Sequence, residues 1–140
     1  MPNYASTTVV NGLPMTFTTA FPAADNTTNT GSLDTNYALS SRAITSLALQ
    51  SSWSALSNHT DNTKYLNIVL QTSNDNANWA NASPLQVISV PGVTTSGAPA
   101  DQYRMAFPAH TGRYVRVSVN NPASGPNLSG LSITTSVVHA

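Results

Sequence analysis

The chain has 140 residues and no net charge, with five cations, five acids that are all aspartates, and no cysteine. That composition excludes a disulfide framework, a thiol nucleophile and a cysteine zinc site, and a neutral chain without a basic run lacks the electrostatic footprint of a nucleic-acid binder. With 18 Ser, 18 Thr and 15 Asn, the surface is solvated by hydroxyls and amides, residue types that favour strands and turns over helices.

In chain order, MPNYASTTVV has neither a basic n-region nor an apolar h-region, so no secretory signal is expected, and synthesis in a cytosol is. Residues 1–14 read as an extended N-terminal arm on a single 1–140 domain. Met15, Phe17 and Thr19 alternate with Thr16 and Thr18 up to Phe21-Pro22. A polar loop over Asp25 to Gly31 turns into Leu33 to Leu39. Ala43 to Gln50 alternates again, although Ile44, Leu47 and Ala48 also fit a helix over Arg42 to Leu56. After a loop at Asn58 to Lys64, Tyr65 to Thr72 sets Leu66, Ile68 and Leu70 against Asn67, Val69 and Gln71. Leu85 to Val90 stops at Pro91-Gly92, and Thr94 to Ala100 is a loop. Tyr103, Met105 and Phe107 precede Pro108; Val115, Val117 and Val119 line one face of the next segment; Leu131, Ile133, Thr135 and Val137 line the last. Period two with turn chemistry between the pieces predicts an all-β fold, an antiparallel β-sandwich or jelly roll of about eight strands. No apolar run reaches membrane-spanning length, so no membrane partner is expected.

Chemistry-bearing residues are scattered. No two aspartates are neighbours in sequence, His59, His110 and His139 fall in or beside loops and at the terminus, and no G-x-S-x-G elbow occurs. No enzyme and no cofactor are expected. In SNDNANW, Asn74, Asn76 and Asn78 alternate beside Asp75, an oxygen-rich run that resembles a calcium loop; with one carboxylate, no following Gly and no closing Glu it reads better as a hairpin connection. Trp53 and Trp79, with Tyr37, Tyr65, Tyr103 and Tyr114, offer rings for sugar stacking, or for core and rim packing. HTGRYVRVSVN holds two of the five cations. If its valines point inward, Arg113 shares their side as a structural residue at the strand's start, and Tyr114 and Arg116 point outward. Tyr114 and Arg116 are therefore the candidate partner-binding residues, because Tyr and Arg are enriched at interface centres.

TTNTGSLDTNYALS, YLNIVLQTSNDNANW, RYVRVSVNN and the closing LSITTSVV together resemble the small jelly-roll cement (decoration) proteins of tailed phages, of the Bordetella-phage type. Discoidin-like and carbohydrate-binding sandwiches share pieces of this pattern, but the low charge departs from them. The cement-protein resemblance implies a non-enzymatic virion protein on the capsid exterior that binds the phage major capsid protein, bridges its subunits and associates with itself, with a dimer favoured. The competing expectation is a carbohydrate-binding module displayed on a virion or cell surface.

Overall fold

The structure, a computed structural model, describes residues 9–10, 13–14, 16–34, 47–107 and 112–139. Twelve strands appear there: β1 (Val9–Val10), β2 (Leu13–Pro14), β3 (Thr16–Ala20), β4 (Thr27–Asn29), β5 (Leu33–Asp34), β6 (Leu47–Trp53), β7 (Tyr65–Ser73), β8 (Ala80–Asn81), β9 (Val87–Pro91), β10 (Asp101–Ala106), β11 (Tyr114–Asn120) and β12 (Ser132–His139). No helix occurs among the described residues.

A four-stranded sheet has the order β10-β6-β12-β3, and a six-stranded sheet runs β4-β11-β7-β8, with β5 also on β11 and β9 also on β7. Every pairing is antiparallel. The chain passes repeatedly from one sheet to the other, which makes an antiparallel, jelly-roll-like sandwich. β1 and β2 form a separate two-stranded ladder.

The inward residues are those the alternation marks. Leu66, Ile68 and Leu70 on β7 and Val115, Val117 and Val119 on β11 are buried, facing Leu49, Trp53, Met105, Ile133 and Val137 of the other sheet. One polar pair lies among them: Ser51 and Thr135, neighbours across β6 and β12, are fully buried and share a 3.1 Å hydrogen bond. A partner is required there, because an unpaired buried hydroxyl costs about 1–3 kcal/mol. At the sheet ends Asn121 donates its side-chain amide to the Pro22 and Pro126 carbonyls at 3.1 and 2.6 Å, tying the loop after β3 to the one after β11.

The eight expected strands correspond to β3, β5, β6, β7, β9, β10, β11 and β12. The other four are two or three residues long, too short to show a period. One of them, β4, lies inside the expected Asp25 to Gly31 loop, where cross-strand bonding to β11 overrides the turn propensity of its Thr and Asn. The helical alternative over Arg42 to Leu56 fails at 47–53, which is β6 paired on both sides. Residues 35–39 and 43–46 of two expected strands lie outside the described residues, as does most of the expected arm before Met15.

Candidate functional site

β11 pairs with β7 so that Tyr114 faces Ser73 and Arg116 faces Gln71. Both candidate residues share the outward parity opposite the buried valines. β7 runs on through a tight connection at 74–79 and returns as β8, which places Asn81 opposite Gln71. Trp79, the residue before β8, thereby comes back over Arg116, whose guanidinium carbon lies 4.2 Å from the ring centroid. Arg116 Nε donates to Gln71 Oε1 at 3.0 Å, and Gln71 Nε2 donates to Asn81 Oδ1 at 3.3 Å. A guanidinium stacked on an indole gains about 0.5–1 kcal/mol at an exposed site and more when desolvated. Partial burial lowers the Arg116 pKa, and an arginine nevertheless keeps its charge in a protein.

Arg113 corrects the sequence reading. It precedes β11 rather than belonging to it, so strand parity does not govern it. Its guanidinium lies 5.1 Å from the Tyr114 ring centroid and grips Asp34 through Nε at 3.2 Å and Nη2 at 2.9 Å. Asp34 is the β5 partner of Tyr114, so both arginines reach the outward face. Asp34, Arg113 and Tyr114 lie on one outward rung of the six-stranded sheet, and Arg116, Gln71 and Asn81, with Trp79 against Arg116, lie on the next outward rung. Gly112 permits this approach: a Cβ there would lie 2.6 Å from the Ser73 carbonyl oxygen. The Asp34 bond and charge raise the Arg113 pKa. The sequence placed Tyr114 and Arg116 on this face and named Trp79 as a candidate ring, but it did not join Asp34, Gln71 or Trp79 to them, which only the strand register does.

The calcium-like run is a closed turn. Asp75 accepts from Ser73 Oγ (3.0 Å), Ala77 N (2.9 Å), Asn78 N (2.8 Å) and Asn78 Nδ2 (2.7 Å). Asn76 takes the left-handed conformation with φ 58°, which Asn tolerates. The Asn78 and Ala77 backbone bonds, in that order, hold the Asp75 carboxyl well below the usual carboxylate range. The run is the hairpin connection that delivers Trp79.

Among the described residues the remaining chemistry does not converge. His59 is fully buried, donates from Nε2 to the Val90 carbonyl at 2.9 Å, and leaves Nδ1 without a partner. Asp61 accepts from the Thr63 hydroxyl and backbone N–H, which lower its pKa. His110 and Tyr37 lie outside the described residues, and the side chain of His139 is not described. Among the described residues no three His, Asp or Glu gather as a metal site. Hollows bounded by described residues include an open one of about 460 Å³ lined by Ser52, Trp53, Ser54, Leu131, Ser132 and Thr134, and a smaller one of about 180 Å³ lined by Ser89, Pro91, Val93, Pro99, Asp101 and Tyr103.

Compared with known proteins, the chain matches no family model, and the search of curated proteins finds nothing similar.

Proposed function

We propose that this protein is a non-enzymatic virion structural protein that binds the outer surface of an icosahedral phage capsid and stabilises it by bridging major capsid protein subunits. The observation that carries the reading is the patch from Asp34 to Trp79. It is a nearly neutral face with two outward cations, one of them paired with Asp34, and two rings, its side chains held by cross-strand bonds. Such a surface suits docking by shape and hydrogen bonding, with weak single contacts multiplied over many copies on a shell. The sequence resemblance points the same way.

The carbohydrate-binding alternative has a different set of rings to draw on. Trp53 is buried and stacked against Tyr103, with centroids 5.9 Å apart, and Trp79 carries Arg116 on one ring face, whereas Tyr65 and Tyr103 are exposed.

Self-association belongs to the same proposal, and β3 is the edge suited to it. Phe21 N donates to Leu131 O, so ladder alternation turns the backbone of Thr19 and Phe17 to β12 and that of Thr16, Thr18 and Ala20 away from it; there the Ala20 carbonyl accepts from Thr28 Oγ1 at 2.9 Å, and no strand pairs on that side among the described residues. Those three residues are exposed and uncharged, whereas the opposite edge, β10, carries Asp101 and Arg104. An uncharged edge invites pairing with its own copy about a two-fold axis.

The test is reconstitution. Phage shells lacking the protein are heated with and without it added back, and bound copies are located by electron microscopy. The expected result is exterior density bridging subunits and a higher disruption temperature. Unchanged shell stability with no exterior density overturns the proposal.

A further inference from the structure

The four described cations are held in different ways. Lys64 Nζ donates to the Ala123 carbonyl at 3.1 Å, and Arg104 Nε donates to Gln50 Oε1 at 2.9 Å. Arg113 closes a two-point grip on Asp34. Arg116 is fixed on two sides, with Nε on Gln71 and the ring of Trp79 against its flat face. Neither contact uses the terminal nitrogens, and no hydrogen bond or ion pair of Arg116 with an acid occurs among the described residues. Two acids on the same sheet and its hairpin are engaged: Asp34 by Arg113, and Asp75 by four bonds from its own turn.

The result is a guanidinium held from two sides, whose Nε is bonded and whose end-on edge, Nη1 and Nη2, has no hydrogen-bond partner among the described residues. Two parallel N–H groups in one plane match the two oxygens of a carboxylate. Stacking and the Gln71 bond fix the rotamer in advance, so little side-chain entropy remains to be lost on binding. Among the described residues the site is one unpaired charge, because the neighbouring Arg113 is neutralised by Asp34. That fits a singly charged planar anion better than a phosphate, which draws on several cations and backbone donors.

We infer that the end-on edge of Arg116, held by Gln71 and stacked on Trp79, receives an Asp or Glu carboxylate of a protein docked on the outward face of the six-stranded sheet. The inference rests on the docking proposal only in naming a protein as the carboxylate's source.

The probe is N-acetylglutamate amide, with N-acetylglutamine amide at equal ionic strength as its neutral counterpart, titrated into the full chain. Arginine guanidinium and tryptophan indole resonances report binding by NMR. The expected result is a saturable shift of the Arg116 and Trp79 signals with the glutamate compound alone, at least about fivefold larger than the shift of Arg104. Trp79→Ala keeps the charge and removes the stack, and weakens the apparent affinity by about threefold, the scale of one exposed cation–π contact. R116K keeps the charge without the planar fork and loses the selective response. Gln71 and Asn81 amide signals show in each variant that the sheet is intact. Equal responses at Arg104 and Arg116, or a Trp79 shift that survives in R116K, overturn the inference. Shells that bind the protein while Arg116 stays unresponsive overturn it and leave docking standing. A selective Arg116 response with no shell binding does the reverse.

Discussion

The two outward faces of the sandwich use the same neutral chemistry at different side-chain lengths. On the six-stranded sheet long side chains reach across strands: Arg116 to Gln71, Gln71 to Asn81, Asn120 to Thr27, and Ser89 to Asn67. On the four-stranded sheet the central positions are Ser52, Ser132 and Thr134, with Thr16 and Ser136 hydroxyls 3.2 Å apart. There the longer groups, Gln50, Gln102 and Arg104, gather toward β10. The hydroxyl face is built of short groups around an open hollow of about 460 Å³. The amide face carries projecting rings and a set cation. Side-chain length, rather than charge count, therefore separates a face that is hollowed from one that projects.

The largest expected effect contrasts the two sides of one strand. Leu70→Ala, beneath the amide face, empties a fully buried site and costs about 2–5 kcal/mol of unfolding free energy. Gln71→Ala, its outward neighbour, changes stability by about 0.5 kcal/mol or less. Chemical denaturation measures both, and equal losses would mean that the outward ties carry the fold. Next comes the contrast between faces. Arg116→Glu weakens shell binding about 30-fold or more, the scale of an interface hot spot. Thr134→Glu on the hydroxyl face leaves binding within about twofold, an ordinary surface change. Reversal of that order in a sedimentation assay would move the docking surface to the other sheet. Third is the polar pair under the hydroxyl face. Thr135→Val strands the buried Ser51 hydroxyl and costs about 1–3 kcal/mol, whereas Ser51→Ala with Thr135→Val costs less than the single change. A double variant weaker than the single would show that the pair is not what satisfies that hydroxyl.

Much of this was legible in the sequence, for a definite reason. Where one face is buried, as at Leu66, Ile68, Leu70 and at Val115, Val117, Val119, a period of two is imposed on the residues and is readable. The same logic gave Tyr114 and Arg116 their outward side. It failed at Arg113 because parity holds only inside a strand, and β11 starts one residue later. Trp79 lies far from Arg116 in sequence; their contact follows from two strand pairings and a hairpin, which no local pattern encodes. Asp34 was invisible as a partner for the same reason. β4 and β8 were missed because two or three residues do not make a period.

The smallest effect concerns how the amide face is supported from its hairpin. Asp75 is exposed, yet its turn bonds hold its folded-state pKa well below the ordinary value. A carboxylate lowered in this way contributes its full stabilisation above the unfolded pKa of about 3.9, and loses it as pH falls below that value toward the lowered one. Trp79 follows the turn directly, whereas Trp53 is buried in the core. Acidification well below about pH 4, toward the lowered folded-state value, is therefore expected to shift the Trp79 indole resonance before that of Trp53. Asp75→Asn loses the charge and the bond from Asn78 Nδ2, and should remove that acid step while lowering the melting temperature slightly at neutral pH. Asp61→Asn, which alters the Thr63 turn instead, should leave the Trp79 step in place. If Trp79 and Trp53 move together at every pH, the hairpin does not respond separately from the core, and the relief of the amide face is set by the sheet alone.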